Sequence, residues 1–286
     1  MRIGFVGLGQ MGLPMAGNLA RAHDVIAWDR NAERRPEGAA RAEALAGVAA
    51  APVVILCLPD GKVVEQVLLG DLLPALGPGT VVVDCSTTPR ATALRCAEAL
   101  GTRGMGFLDA PVSGMRARAE DATLTMMVGG EADALERVRP ALDAMASTVL
   151  HMGPVGAGQL TKLVNQLLFD INCAALAEVL PMAVKLGLDP AKTVEVVNGG
   201  TGRSYASEFF GPRMLTRDFD EGYPMGLAYK DLIEGAAISA NEGIPMPVLA
   251  AATATYQQAL REGLGEEEKG AMVKVFERLL GVEVKA

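Results

Sequence analysis

The first half of the sequence alternates short apolar runs with helical patterns, and this alternation constrains the fold more than any other feature. The apolar runs occupy residues 3–6, 25–28, 53–58 and 80–83. The helical patterns that follow them occupy residues 10–22, 62–69 and 89–100. Runs that are apolar at successive positions are typical of parallel strands covered by helices on both faces. This order predicts an α/β fold with a Rossmann-like, doubly wound N-terminal domain.

The pattern changes at a glycine-rich turn over residues 153–158. Before the turn, strands are predicted at residues 107–112, 123–128 and 148–151, with a helix at residues 131–145. After the turn, helices are predicted at residues 159–186, 190–197, 225–241, 247–261 and 266–280. We therefore predict two domains, an α/β domain at residues 1–155 and an all-α C-terminal domain at residues 156–286.

The longest predicted helix, at residues 159–186, contains a proline and is followed by a glycine. Gly187 is a good candidate for its C-cap, because glycine adopts the left-handed conformation that often ends a helix. Pro181 has no N–H and its ring crowds the preceding turn, so we expect a kink or a break there.

A GxGxxG motif follows the first apolar run and opens the first helix. Its members are Gly7, Leu8, Gly9, Gln10, Met11 and Gly12. The first glycine permits a tight turn, the second allows close approach of a pyrophosphate, and the third lets the helix pack against the strand. The helix N-terminus then presents unpaired N–H groups to the phosphates. In this position the motif predicts dinucleotide binding rather than a merely structural turn.

The end of the second apolar run offers two interpretations of the cofactor. Asp29 lies about 20 residues after the glycines, where a carboxylate usually binds the ribose 2′-hydroxyl of NAD. Arg30, Arg34 and Arg35, with the Asn31 amide, instead suit the 2′-phosphate of NADP. We favour NADP, provided that Asp29 turns away, and keep NAD as the alternative. The arginines could also form only the solvated start of a helix.

Lys162 is the candidate acid/base residue. The two histidines, His23 and His151, lie at a helix end and before a glycine turn, and both are interpreted as structural. Lys162 lies near the start of the longest helix and shares one face with Asn165 and Gln166. Apolar surroundings would favour its neutral form and so proton exchange near neutral pH. The competing interpretation is a surface lysine whose ammonium reaches water.

Composition excludes several classes of function. Acidic residues outnumber basic ones by 34 to 26, so nucleic acids and anionic membrane surfaces are not expected as main partners. No segment offers about 20 continuous apolar residues, so no membrane span is expected. The four cysteines form no CxxC pair, which argues against a disulfide framework or a zinc site. We expect a cytoplasmic protein without a metal.

Four motifs, in this order, resemble those of the β-hydroxyacid dehydrogenase family, and the resemblance covers essentially the whole chain. The first is the GxGxxG motif with residues 13–16 after it. The second runs from Asp109-Ala110-Pro111-Val112-Ser113-Gly114 to residues 123–130. The third joins Gly156 and Gly158 to Lys162 and Asn165, and the fourth is Lys230-Asp231-Leu232.

The resemblance implies roles for the matching residues. Lys162 is implied as the catalytic acid/base. Ser113 and Gly114 are implied to hold the substrate carboxylate, and Asn165 to orient the substrate. With the GxGxxG motif and the Asp29 segment included, the residues expected to contact the cofactor are Gly7, Leu8, Gly9, Gln10, Met11, Gly12, Asp29, Arg30, Asn31, Arg34, Leu58, Pro59, Asp60, Ser86, Thr87 and Lys230.

The resemblance also implies an activity. The chain is expected to transfer a hydride between NADP(H) or NAD(H) and a small 3-hydroxyacid, with 3-hydroxyisobutyrate and methylmalonate semialdehyde, a pair of valine degradation, favoured. The alternatives are a glyoxylate, succinic-semialdehyde or tartronate-semialdehyde reductase, and a catalytically silent cofactor-binding module. The apolar helical domain is expected to bury surface in a homodimer or homotetramer.

Four positions depart from the family pattern. Met115, Arg118 and Ala122 stand where the family has glycines, and Gln166 stands where it has a second asparagine. Because Lys162, Ser113 and Asn165 are retained, the chemistry is expected to be retained too. Met115 and Arg118 could reshape the substrate pocket, so substrate identity stays open.

Overall fold

The structure, a computed structural model, describes residues 1–220 and 222–286. Two compact units divide the chain, Met1–Lys162 and Leu163–Ala286. The sequence predicts the change of domain between residues 155 and 156, seven residues before the division at Lys162.

The first unit is built on a nine-stranded sheet. Its strands are β1 (Arg2–Val6), β2 (Asp24–Trp28), β3 (Ala40–Arg41), β4 (Val53–Leu56), β5 (Val81–Asp84), β6 (Gly106–Asp109), β7 (Val112–Ser113), β8 (Leu124–Gly129) and β9 (Ala146–Gly153). They pair in the order β3-β2-β1-β4-β5-β6-β8-β7, and β9 pairs with β8. The run from β3 to β6 is parallel throughout, whereas β8 is antiparallel to β6 and β7.

Helices cover both faces of this sheet. They are α1 (Gly12–Ala20), α2 (Gly61–Glu65), α3 (Arg90–Gly101), α4 (Met115–Glu120) and α5 (Ala132–Asp143). Successive strand residues enter two different cores, since Val53 and Ile55 belong to one apolar cluster and Val54 and Leu56 to another. This two-sided burial explains the continuous apolar runs, and it confirms the predicted Rossmann-like fold.

The second unit is helical. The long helix α6 (Ala157–Lys185) begins in the first unit and continues into the second, where α7 (Pro190–Gly199), α8 (Tyr205–Thr216), α9 (Met225–Glu242), α10 (Pro247–Arg261) and α11 (Val273–Leu280) follow. One apolar cluster, which includes Leu180, Phe210, Leu232 and Tyr256, forms its core. The described residues of this unit form no strand, and the predicted all-α character is confirmed.

The predicted end of α6 is confirmed, and of the kink or break predicted at Pro181, the break is wrong. Gly187 has φ +85, and the Leu188 N–H donates to the Ala183 carbonyl at 3.0 Å, as in a glycine-terminated helix. The helix passes through Pro181 without a break. Pro181 lies in the last turns of the helix, so its missing N–H removes a single backbone bond near an end that already lacks partners.

Three other sequence expectations need correction. The strand predicted at residues 107–112 is two strands, β6 and β7, because Pro111 between them cannot donate to a sheet. The helix predicted at residues 266–280 begins later, with a 3₁₀ turn at Lys269–Met272 and then α11. The sequence did not predict α4, which has no clear apolar period, or α8, which contains an internal proline.

Among the described residues, α6 is one helix that is long and apolar enough to cross a membrane by length and composition. Half of its most apolar window is buried inside the chain. Lys162, Asp170 and Glu178 interrupt the apolar sequence of this helix, so it contains no run of about 20 apolar residues. A single such helix is weak evidence for a membrane protein, because the core helices of soluble proteins pass the same test.

Candidate active site

The GxGxxG motif forms the turn between β1 and α1, as predicted from the sequence. Gly7 has φ +95, and a Cβ there would lie 2.2 Å from the Cys57 carbonyl oxygen. A Cβ on Gly12 would lie 1.9 Å from the Gly7 carbonyl oxygen. By contrast, a Cβ on Gly9 would meet nothing within 4 Å. Gly7 and Gly12 therefore serve the turn itself, while Gly9 borders open space.

The start of α1 is suited to an anion. The helix has no capping side chain and no acidic residue in its first turn. The Leu13 N–H is bonded to the Gly9 carbonyl at 3.1 Å and Pro14 has no N–H, so the start of α1 offers an anion mainly the positive end of the helix dipole. This arrangement fits the pyrophosphate of a dinucleotide.

Asp29 holds the glycine turn in place. It follows β2, its side chain is 8% exposed, and its Oδ2 accepts the Leu8 N–H at 2.7 Å. Its Oδ1 accepts the Asn31 N–H at 2.8 Å. Arg34 approaches the same carboxylate, with Nη1 3.6 Å from Oδ2. Asp29 therefore points toward the turn and is not displaced by the arginines; Arg30 is exposed at the surface beside it.

Two other predicted cofactor segments meet at the neighbouring strand ends. Leu58 follows β4, and its N–H donates to the Ser86 Oγ, after β5, at 2.8 Å. Ser86 is 2% exposed, whereas Thr87 is half-buried and Pro59 is exposed. The Asp60 Oδ1 accepts the Val63 N–H at 2.9 Å and so caps α2. The strand order places these segments along one edge of the sheet with the glycine turn.

The predicted substrate segment lies at β7 and the start of α4. Ser113 pairs with Thr125 of β8, and Gly114 has φ +139. Met115 and Ala122, at the two ends of α4, have φ +58 and +56. Side chains rarely adopt this left-handed conformation, so both positions have a backbone that favours glycine although neither residue is glycine.

Arg118 runs across this segment. An ideal Cβ on Gly114 would lie 2.7 Å from both the Cβ and the Cδ of Arg118. Its neighbour Arg116 pairs with Glu120 at 2.7 Å. Arg118 itself forms no ion pair among the residues that the structure describes.

Lys162 lies near the start of α6 and is 9% exposed. It is therefore buried rather than a surface lysine, although its helix begins only a few residues earlier. The start of that helix is held by Asp109, the last residue of β6. Asp109 Oδ1 accepts the Gly156 N–H at 2.7 Å, and Oδ2 accepts the Gln159 N–H at 2.8 Å.

The Gln159 side chain joins the same helix start to the segment after β5. Its Oε1 accepts the Thr88 N–H at 3.0 Å, and its Nε2 donates to the Ser86 carbonyl at 2.8 Å. Gln159 is 3% exposed. The helix that carries Lys162 is thus bonded to the segment that contains Ser86 and Thr87.

Two buried carboxyls lie side by side at this edge. Asp84 and Asp109 end neighbouring parallel strands in register, and both are 0% exposed. Burial raises the pKa of Asp84 to about 7, the Ser86 hydrogen bonds act against the rise, and the nearby Asp109 adds to it. Burial also raises the pKa of Asp109, against the N–H groups that it accepts. Among the residues that the structure describes, none hydrogen-bonds to Asp84 Oδ2.

The remaining predicted residues belong to the second unit. Asn165 is exposed, and its Nδ2 donates to the Gln166 Oε1 at 3.3 Å. Gln166 in turn donates to the Asp231 Oδ2 at 3.3 Å. Lys230 is exposed on α9 and hydrogen-bonds to Tyr223, whose pKa burial raises and Lys230 lowers.

The histidines bond to backbone carbonyls. His23 Nε2 lies 3.1 Å from the Pro140 oxygen, and His151 Nε2 lies 2.8 Å from the Gly130 oxygen. These bonds agree with a structural role for both. Within residues 1–220 and 222–286, no group of three or more His, Cys, Asp or Glu could hold a metal ion.

Sequence reasoning missed Asp84, the helix-capping role of Asp109, and Gln159. The signal for the two aspartates was present, because each ends an otherwise apolar buried strand, in the strings VVVD and FLD. A charged residue at such a position needs a partner. Nothing in the sequence pointed to Gln159, since its partners lie more than 70 residues away.

Two family models match the chain. One, described as the NAD binding domain of 6-phosphogluconate dehydrogenase, matches residues 2–153. The other, described as "NAD-binding of NADP-dependent 3-hydroxyisobutyrate dehydrogenase", matches residues 156–276.

Individual proteins match over nearly their whole length. The chain is 38% identical to 2-(hydroxymethyl)glutarate dehydrogenase of Eubacterium barkeri, over 99% of the chain and 97% of that protein. It is 35% identical to the NAD-dependent L-serine dehydrogenase of Pseudomonas aeruginosa, over 98% and 99%. The structure of Mycobacterium tuberculosis 3-hydroxyisobutyrate dehydrogenase with L-serine superposes with a TM-score of 0.86, at 33% identity, over 96% of this chain and 98% of that one.

These matches agree with the four motifs, the parallel sheet with its glycine turn, and the helical second unit. They confirm the resemblance seen in the sequence. The chain belongs to the β-hydroxyacid dehydrogenase family of nicotinamide-dependent oxidoreductases.

Proposed function

We propose that this chain interconverts a small 3-hydroxyacid and its aldehyde, with Lys162 as the acid/base residue and 3-hydroxyisobutyrate as the first substrate to test. The observation that carries the proposal is the burial of Lys162, 9% exposed, at the start of α6. The same helix start is bonded to the segment of Ser86 and Thr87 that we expect to line the nicotinamide. An amine in that position can exchange a proton with a bound hydroxyl.

In this proposal some residues orient the substrate and one residue transfers the proton. When bound, the nicotinamide dinucleotide accepts or supplies the hydride. In oxidation, neutral Lys162 takes the proton of the substrate hydroxyl, and in reduction its ammonium returns a proton to the developing alkoxide. Ser113 and the Gly114 N–H hold the substrate carboxylate, with Asn165 orienting the substrate, which fixes the reacting carbon.

Replacing Lys162 by alanine tests this assignment. We expect turnover of 3-hydroxyisobutyrate to fall by at least about 10²-fold, because general acid/base catalysis typically supplies that much. Cofactor affinity should change by no more than about threefold. Lys192→Ala, which removes an exposed lysine on α7, is the matched control and should behave as the parent. Equal losses of turnover and cofactor affinity in Lys162→Ala would assign the lysine a structural role.

The cofactor preference turns on Asp29. The sequence favours NADP only if Asp29 turns away, but Asp29 bonds to the Leu8 N–H at 2.7 Å and stays at the turn. A fixed carboxylate there accepts a ribose hydroxyl and repels a 2′-phosphate. We therefore propose NAD as the preferred cofactor. NADP is the alternative, because Arg30, Arg34 and Arg35 are exposed and could bind a 2′-phosphate.

The ratio of kcat/KM for the two cofactors decides between them. The parent should prefer NAD, and Asp29→Asn, which keeps an acceptor for Leu8 but removes the charge, should shift the ratio toward NADP by about tenfold or more. A parent that prefers NADP would restore the expectation from the sequence.

Arg118 favours a second candidate class of substrate. Its side chain crosses Gly114 and it forms no ion pair among the described residues. A cation beside the proposed carboxylate site favours 3-hydroxyacids that carry a second carboxylate. One relative, 2-(hydroxymethyl)glutarate dehydrogenase, is named for such a compound.

A panel of substrates separates the two classes. If the second class is correct, 2-(hydroxymethyl)glutarate gives the higher kcat/KM, and Arg118→Gln lowers that value without affecting 3-hydroxyisobutyrate. Arg116→Gln, whose arginine is paired with Glu120, is the matched control. Activity confined to glyoxylate, succinic semialdehyde or tartronate semialdehyde would instead support the reductase alternatives. Tight cofactor binding without turnover on any of these compounds would support a catalytically silent module.

We also propose a cytoplasmic homodimer or homotetramer. Its support is an exposed apolar stripe along α6, with Val164, Leu168, Val179 and Met182 between 48% and 58% exposed. Such a stripe fits burial against a second copy of the chain. Light scattering at working concentration tests the oligomer, and a monomer would refute it.

A further inference from the structure

The start of α6 is bonded to the last residue of β6. Asp109 accepts the N–H groups of Gly156 and Gln159 at 2.7 and 2.8 Å. These are two of the groups that a helix N-terminus leaves without partners. Because both oxygens of one buried carboxylate are used, the helix can neither slide nor rotate without losing a charge-assisted bond.

The backbone around Asp109 packs closely against the start of α6. A Cβ on Gly158 would lie 2.3 Å from the Met127 carbonyl oxygen and 2.6 Å from the Asp109 carbonyl oxygen. A Cβ on Gly129 would lie 2.5 Å from Asp109 Oδ1. The helix start therefore rests directly on the ends of β6 and β8, and the two glycines make that approach possible.

Gln159 adds a bond in a second direction. Its amide accepts from the Thr88 N–H at 3.0 Å and donates to the Ser86 carbonyl at 2.8 Å. The Gln159 side chain thereby satisfies one backbone N–H and one backbone carbonyl of residues 86–88, which follow the end of β5. Lys162 follows three residues later on the helix, about 4.5 Å along its axis.

From this geometry we infer that Gln159 and Asp109 are positioning residues, which hold the Lys162 amine at a fixed distance from the Ser86–Thr88 segment. The inference rests on the proposed function, in which Lys162 moves the proton and that segment lines the nicotinamide. In oxidation the proton leaves the substrate hydroxyl, and the hydride leaves the carbon that carries this hydroxyl. The proton acceptor and the hydride acceptor must therefore stay at a fixed distance from each other. A shift of about 1 Å in such an arrangement can lower a rate 10²-fold.

Gln159→Met tests the inference, because methionine fills a similar volume but forms neither bond. We expect kcat to fall by at least about tenfold, with cofactor Kd and substrate KM within about threefold of the parent. The primary deuterium isotope effect on kcat should rise, because a misplaced acceptor slows the hydride step itself. Thr80→Val is the matched control, since it removes a buried hydrogen bond to the Gly77 carbonyl at the opposite end of β5. It should lower Tm without changing kcat or the isotope effect.

Gln159→Glu provides a conservative rescue. A protonated glutamic acid can accept from Thr88 and donate to Ser86, as the amide does, but a carboxylate faces the Ser86 carbonyl with a lone pair. The ratio of kcat in this variant to kcat in the parent should therefore rise as the pH is lowered. A loss caused only by a poorer fit of the side chain would give a constant ratio.

A second measurement does not depend on turnover. NADH should protect Lys162 from acetylation by acetic anhydride in the parent, as followed by peptide mass spectrometry, and protect it several-fold less in Gln159→Met. If the parent shows neither protection nor turnover, the proposed function fails and this inference with it. If the parent shows both and Gln159→Met retains the same protection, kcat and isotope effect, the positioning role alone is overturned.

Discussion

The two units bury carboxylates in different ways. In the first unit, Asp109 is 0% exposed and accepts only N–H groups of the backbone. In the second, Asp170 is equally buried, but its partner is a side chain, with Lys269 Nζ 2.5 Å from Oδ1. The same Lys269 amine lies 3.9 Å from the centre of the Phe169 ring.

The two carboxylates therefore have different structural roles. Backbone N–H groups have fixed positions, and substitutions other than proline retain them. A carboxylate bound to them therefore defines the geometry of a helix start. A lysine–aspartate pair neutralises two charges, but a pair of apolar side chains could fill the same space. The first unit uses its carboxylate to place a helix, and the second uses its pair to fill a core.

The largest expected effect comes from breaking the pair in the second unit. Lys269→Met leaves Asp170 buried without its cation, and we expect a loss of about 3–5 kcal/mol in unfolding free energy, measured by urea denaturation. Lys269 is 2% exposed, so solvent cannot replace the lost partner.

The double variant Lys269→Met with Asp170→Leu is the control, and it should recover most of that loss because neither charge remains. If the double variant is no more stable than Lys269→Met alone, the pair does more than neutralise charge and the contrast between the units weakens.

An effect of comparable size is expected from Asp109→Leu. The variant strands the Gly156 and Gln159 N–H groups, which costs about 1–3 kcal/mol for each buried donor left unpaired. No second substitution can restore these bonds, because both donors are backbone groups. Thermal unfolding of Asp109→Leu alone and with Gln159→Met checks this point, and recovery of the parent's Tm in the double variant would contradict it.

The sequence was most informative where one local rule decides the structure. Apolar runs and the GxGxxG motif predicted β1, β2, β4, β5 and the turn before α1, because parallel strands and a tight glycine turn follow from neighbouring residues. It failed at α8, where Gly211 and Pro212 lie inside the helix. There the helix depends on packing in the core, to which Phe210 and Met214 contribute, rather than on local preference.

The candidate site divides in the same way. Lys162 and the glycines were visible because their residue types and positions carry the chemistry. The orientation of Asp29 and the bonds of Gln159 were not, because they join parts of the chain that are 21 and more than 70 residues apart. Such contacts depend on the order of the strands, and the residues at the strand ends do not reveal that order.

A third buried carboxyl, Asp84, makes the free energy of unfolding depend on pH. Its pKa is raised from 3.8 to about 7, first by burial. Between these values the folded chain binds a proton that the unfolded chain has lost, so this group lowers stability as the pH rises through that window. Asp84→Asn should therefore gain stability relative to the parent as the pH rises from 4 to 8, by about 1.4 kcal/mol for each unit by which folding raises the pKa.

Thermal melts of both proteins across that range measure the difference, with the parent's other titrating groups common to both. A difference that stays constant with pH would show that Asp84 does not bind the extra proton.

The smallest expected effect compares two left-handed helix ends, Ala122 after α4 in the first unit and Arg217 after α8 in the second, with φ +56 and +61. Ala122→Gly relieves the strain of a side chain in that conformation, so Tm should rise slightly, by the equivalent of about 0.5–1 kcal/mol. Arg217→Gly relieves the same strain but also removes an ion pair to Glu277 at 2.5 Å and a stack on Phe219. Glu277 is only 6% exposed and, among the described residues, would keep only the Val284 N–H as a partner, so the loss of its cation should outweigh the gain and lower Tm. A rise in Tm for Ala122→Gly and a fall for Arg217→Gly would show that the side chain of Arg217 stabilises the second unit, whereas that of Ala122 adds only strain. A rise in Tm for both variants would contradict this distinction.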